Sequence, residues 1–259
     1  MLAAAPLGNP PVTTLGAAGW DTAVELASKL AETGAEHQAA ELLAGPLSSL
    51  DPAIARPDHR VIAAAILYAR CVDPMPNLVP DDVAWATYAH RAARTLHGAD
   101  HPDAMRAADV LVFVLLTRDR SGEAEALRRE LIQLHLDRGD VDAHLEARMG
   151  LARQLHDEGR CGDGIRQATA AWQQWIASHD PTAEGSAPMA VSLTQLLLDC
   201  GRLTEAETVI ETAGLHRHAQ HSQTGRAYRD VLTMRATVRR CSACTRTADR
   251  TLTAAGRST

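Results

Sequence analysis

At 259 residues the chain has room for one domain or two, and its eight aromatic side chains are too few to fill a core with large rings. Its longest fully apolar runs, residues 61–69 and 110–116, fall well short of the ~20 residues a membrane span requires. The net charge of -6 is unevenly spread: residues 216–259 carry nine Arg against two acids, whereas residues 1–215 carry 17 basic and 30 acidic side chains.

Residues 1–19 are apolar and rich in Pro and Gly. They lack the positive start and unbroken apolar core of a signal peptide, so they read as a flexible tail. Residues 20–33 show helical apolar spacing at Val24, Leu26 and Leu30; Gly34 breaks it, and residues 36–50 form a partner helix that ends before Pro52 and Pro57. Residues 58–71 open a second pair. Pro74, Pro76 and Pro80 bar a helix there, since each lacks a donor and clashes with the preceding turn, so a loop leads into a helix over residues 81–96. A third pair begins with Asp100 as cap and Pro102 in the first turn, and runs to about residue 138. A fourth covers residues 140–178. The fifth covers residues 187–215, with Thr204-x-x-Glu207 reading as a capping box. A last helix over roughly residues 223–240 is polar enough to shield the end of a stack.

One pattern recurs at these boundaries. Its clearest copy is Gly201-Arg202-Leu203-Thr204-Glu205-Ala206; others run from Gly34 to Ala39 and from Asp119 to Ala124, and a weaker copy ends at Gly164. Positions 39, 124, 164 and 206 are separated by one or two units of 40 to 45 residues, with Ala84 where the missing member should fall. Self-similarity at a fixed period implies stacked helical pairs. The expected fold is an all-α right-handed solenoid of about five pairs over residues 20–215, with a basic capping helix and tail over residues 216–259.

These repeats resemble tetratricopeptide repeats, specifically the longer kind of the kinesin light chain type found in many bacterial signalling proteins. Where that subtype begins a repeat with Gly-x-Asp-His-Pro-Asp-Thr-Leu, this chain has Gly98-Ala99-Asp100-His101-Pro102-Asp103-Ala104-Met105. Ala152, Ala171, Ala206 and Ala213 stand where the family's helices touch. The resemblance implies a non-catalytic protein-binding scaffold or adaptor, with the first helix of each pair lining a concave groove. Arg106, Asp109 and Phe113 then face the groove in repeat three, Glu146, Met149, Arg153 and His156 in repeat four, and Val191 and Gln195 in repeat five. Arg106 and Arg153 can fork onto carboxylate or phosphate, and Phe113 and Met149 offer apolar contact. Where the subtype carries a pair of asparagines that can hold a peptide backbone, this chain has Asp109 and Val110, and nothing resembles the lysine-rich carboxylate clamp of chaperone-binding members.

Other constellations are weaker. His216, His218 and His221, followed by Cys241-x-x-Cys244, gather the ligand types zinc prefers, but their spacing is not that of a standard finger and no metal is assigned. Cys71, Cys161 and Cys200 lie far apart in sequence, which suits reduced thiols in a cytoplasm. Gly159-x-x-Gly162-x-Gly164 lacks the preceding strand of a dinucleotide loop. With no nucleophile elbow, His-Glu-x-x-His or Walker motif, no catalytic residue and no cofactor is expected. Trp172 and Trp175, three apart, share a helical face and should pack against the next repeat. The partner expected is a protein or peptide, an acidic one included, with self-association of the basic C-terminus on the acidic body as a further route. Neither membrane nor nucleic acid is called for. Two alternatives stand beside the scaffold: a regulatory or sensor module that works with a DNA- or nucleotide-binding partner, and an enzyme on a helical-repeat scaffold.

Overall fold

The computed structural model describes residues 16–71, 81–215 and 233. Among them the chain is helical, with no strand. The helices are α1 (Ala17–Glu32), α2 (Glu36–Ser48), α3 (His59–Cys71), α4 (Asp82–His97), α5 (Pro102–Thr117), α6 (Ser121–Arg138), α7 (Val141–Asp157), α8 (Cys161–Ser178), α9 (Ala187–Asp199) and α10 (Leu203–Thr212), with a 3-10 turn at Glu184–Ser186 before α9. The proline-rich stretch, the last helix expected from the sequence and the His216, His218, His221, Cys241 and Cys244 set lie outside the described residues.

The recurring motif is a left-handed corner. Its first position has positive φ in all four copies: Gly34 at 80°, Asp119 at 57°, Gly159 at 79° and Gly201 at 71°. That conformation crowds a Cβ, so the position admits Gly or, at some cost, Asp. The residue after it bonds back across the turn: Ala35 N–H donates to Leu30 O at 2.9 Å, Arg120 to Leu115 at 2.9 Å, Arg160 to Leu155 at 2.8 Å and Arg202 to Leu197 at 2.7 Å. This is the Schellman arrangement, which satisfies carbonyls left over at a helix end. The last motif position enters the helix-helix contact: Ala39, Ala124 and Ala206 are fully buried. At Gly164 the helices come closer still, since a Cβ there would lie 2.6 Å from the Ala152 carbonyl oxygen.

Local capping differs from the sequence expectation in two places. α5 is capped by His101, whose Nδ1 accepts from Asp103 N–H at 3.2 Å, rather than by Asp100. The Thr204–Glu207 capping box does not form: α10 starts at Leu203 with no side-chain cap, and Arg202 Nε donates instead to Glu205 at 2.6 Å. The preceding Schellman turn sets Arg202, not Thr204, at the cap position, two residues too early for the box. Asp58 and Asp81 do cap, accepting from Arg60 N–H at 2.8 Å and Ala84 N–H at 3.1 Å.

The chain divides into two compact units, residues 1–139 and 140–259, where the sequence suggested one uninterrupted run of repeats. The division follows Gly139, which ends α6 in the left-handed conformation at φ 76°. The first unit holds three helix pairs. Around α1 to α4 its core combines Trp20, Leu43, Leu47, Tyr68, Trp85 and Tyr88 with many alanines; Met105, Leu111, Val112, Leu115 and Leu131 fill the α5–α6 pair. The second unit holds two pairs among the described residues, with Leu145, Leu193 and Leu197 packed against Trp172 and Trp175. Each such leucine contributes roughly 1.5–3 kcal/mol by leaving water. Both tryptophans are buried against α9, and Trp175 Nε1 donates to Ser186 Oγ at 2.8 Å, so its one polar group is satisfied.

Candidate functional site

In the first unit the first helices of the three pairs, α1, α3 and α5, line two adjoining hollows. One, of about 400 Å³, is walled by Val24, Ile62, Ile66 and Leu67; the other, of about 470 Å³, by Asp109, Val110 and Phe113. Arg70 and Arg106 belong to both. Arg106 Nη1 reaches Asp103 Oδ1 at 3.3 Å and its side chain is 65% exposed, while Arg70 makes no ion pair among the described residues. Phe113, half exposed, offers an apolar face to solvent that no core contact requires. Asp109 reaches solvent yet is surrounded by protein; desolvation pushes its carboxyl above the usual range, with Arg128 and His135 pulling the other way. Arg70 was not among the residues singled out from the sequence. It ends α3, in the pair whose corner motif is replaced by the proline-rich stretch, so no repeat register pointed to it.

The second unit has a hollow of about 310 Å³ between α7 and α9, lined by Glu146, Met149 and Arg153 on one side and Pro188, Ser192 and Leu196 on the other. Val191 and Gln195 do not line it. Val191 packs against the core and Gln195 Nε2 donates to Asp199 Oδ1 at 2.9 Å. α9 begins at Ala187 as the sequence suggests, but the stripe that faces the hollow is 188, 192, 196, one residue along the helix from 191 and 195. Met149, 7% exposed, belongs to the core as well as to the wall.

His156 sits apart from that hollow, in a cluster whose residues come from two stretches distant from one another in the sequence. Cys161 and Cys200, 39 residues apart in the chain, both place Sγ 3.4 Å from His156 Nδ1. The three ligand-type atoms lie within 4.8 Å of one another. His156 ends α7, Cys161 begins α8 and Cys200 follows α9, so two neighbouring corners supply the set. On the other side of the ring, His156 Nε2 is 4.0 Å from Asp199 Oδ2, which also accepts from Arg153 Nη1 at 3.2 Å. Burial and the adjacent Cys161 thiol push the Cys200 thiol up to about 11, the opposite of an activated nucleophile. The signal that could have found the cluster is positional: both cysteines flank the corner motif in consecutive pairs.

No protein-family model matches the sequence, and no curated protein matches it. Among solved structures, the chain is similar to a crystal structure of a Podosopora anserina putative kinesin light chain with nearly identical TPR-like repeats. That match has a TM-score of 0.64 and 15% identity, covering 78% of this chain and 97% of that one. A crystal structure of a variant of the same protein matches with a TM-score of 0.62 and 16% identity over 74% of this chain and 92% of that one. The fold is therefore of the tetratricopeptide repeat type.

Proposed function

We propose that the chain is a non-catalytic adaptor that holds an extended peptide or protein segment along the first helices of its pairs. The observation that carries this reading is the pair of adjoining hollows in the first unit, with Arg70 and Arg106 common to both. Apolar walls take apolar side chains, while two guanidiniums between them select carboxylates on the segment that bridges the hollows. An acidic-apolar segment fits this chemistry, and it agrees with the preformed groove that a helical repeat offers. The hollow of the second unit adds Glu146 and Arg153 around a floor of Met149, Met189 and Leu196, which suits an apolar side chain flanked by charges of both signs.

Selection of a random peptide display library against the full chain tests the reading. Enriched sequences should combine acidic and apolar residues, and the Arg70→Glu/Arg106→Glu variant should bind them at least about tenfold more weakly. Peptides that bind wild type and double variant equally would move the binding site elsewhere.

A further inference from the structure

We propose that His156 Nδ1, Cys161 Sγ and Cys200 Sγ form a zinc site that clasps the two helix corners of the second unit, with a fourth coordination position left for water or an incoming ligand. Thiolate and imidazole are the ligands zinc prefers, and two sulfurs with one nitrogen is a donor set zinc uses when one position stays open. With zinc–sulfur bonds near 2.3 Å and zinc–nitrogen bonds near 2.0 Å, a tetrahedral ion spaces its sulfur and nitrogen ligands about 3.5 Å apart. Both thiols lie 3.4 Å from the same ring nitrogen. Two thiolates also neutralise the dication, so binding leaves no net charge at a partly buried place.

The surroundings of the imidazole support the same assignment. Asp199 stands on the Nε2 side of the ring, where it favours the tautomer that carries its proton on Nε2 and turns the Nδ1 lone pair toward the sulfurs. Asp199 is itself held by Arg153 and Gln195, at 3.2 and 2.9 Å. The repeat makes the contrast plain. Forty-two residues on, the positions equivalent to His156 and Cys161 are Leu198 and Leu203, both packed against the core of the second unit. The Gly159 corner thus carries His156 and Cys161 where the Gly201 corner carries two leucines, and the Gly201 corner adds Cys200.

The test uses the full chain, stripped of metal by chelator under a non-thiol reductant, and titrated with cobalt(II) as a spectroscopic stand-in for zinc. The expected result is a plateau at one equivalent, with the visible bands of tetrahedral cobalt and a thiolate-to-cobalt charge-transfer band. Zinc should then displace the cobalt. Cys161→Ser/Cys200→Ser should abolish the bands, and Asp199→Asn should weaken binding by about 10- to 100-fold while keeping them. Cys241→Ser/Cys244→Ser should leave both spectrum and stoichiometry unchanged. The site is overturned if cobalt gives only the pale octahedral spectrum. It is equally overturned if the bands survive in Cys161→Ser/Cys200→Ser or vanish in Cys241→Ser/Cys244→Ser. Circular dichroism of each variant separates loss of ligands from loss of fold, and the Asp199→Asn result stands even if the double serine variant does not fold.

Discussion

Arg118 and Asp82 face each other across 36 residues of sequence as a forked pair: Nη2 lies 2.9 Å from Oδ2, and Nε lies 3.3 and 3.2 Å from the two carboxylate oxygens. Asp82 opens α4 and its side chain is 7% exposed, whereas Arg118 caps α5 and keeps 32% of its side chain in water. The pair thus joins the second and third helix pairs of the first unit through a carboxylate that water barely reaches.

Removing the guanidinium should hurt more than the salt bridge itself is worth, because the carboxylate stays behind without its partner. Arg118→Met is expected to cost about 1–3 kcal/mol, read as a lower denaturation midpoint. Asp82→Asn/Arg118→Met should recover part of that loss. A neutral Arg118→Met would mean that the pair carries no weight.

The corners give a matched pair of substitutions. Gly201→Ala forces a Cβ into a left-handed turn and should lower stability by about 1 kcal/mol. Asp119→Gly relieves the same strain and should raise stability by up to about 1 kcal/mol. Thermal melts of both variants check the signs, and two shifts in the same direction would contradict the account.

Gly164 sets two effects against each other. Gly to Ala inside a helix is ordinarily worth about 1 kcal/mol in favour of Ala. Here the new methyl would press on the Ala152 carbonyl at 2.6 Å, backbone against which no rotamer can yield. Overpacking of that kind costs about 1–3 kcal/mol, so Gly164→Ala should destabilise on balance. A stabilised variant would show that α7 and α8 can part cheaply.

Alkaline pH should loosen the first unit. Tyr68 is fully buried, and desolvation pushes its phenol up to about 12, with Asp82 and Asp81 adding to the shift; burial raises Tyr88 as well. In the unfolded chain both titrate near the ordinary value of about 10. The folded state then holds protons that the unfolded state has released. Stability is full below pH of about 10 and falls as pH rises toward 12. Tyrosinate absorbance in the native chain should lag behind that in denaturant, and Tyr68→Phe should flatten the loss. Ionisation of every tyrosine near pH 10 with the fold intact would refute this.

Much of the fold is legible in the sequence because its rules are local. Gly34, Asp119, Gly159 and Gly201 recur since each corner needs one left-handed residue, and the helices they separate end close to where periodicity and proline place them. The faces were partly legible: Glu146, Met149 and Arg153 line one hollow of the second unit, opposite Pro188, Ser192 and Leu196, each one residue from the face that Val191 and Gln195 mark. Periodicity assigns faces, and an error of one residue in picking the inward stripe of a helix turns the face by about 100°. Convergence is harder. Nothing local to Cys161 or Cys200 reveals that two successive corners bring their sulfurs to one imidazole.

The same corners have a consequence for how the chain is made. Each is sealed by a bond between residues five apart, and the ion pairs that link one helix pair to the next span only 36 to 46 residues. Structure of such short reach forms in microseconds to milliseconds, whereas a ribosome adds a helix pair of about 40 residues in roughly 2–8 s. Each pair can close on itself soon after it clears the exit tunnel, and it waits for the next segment already folded.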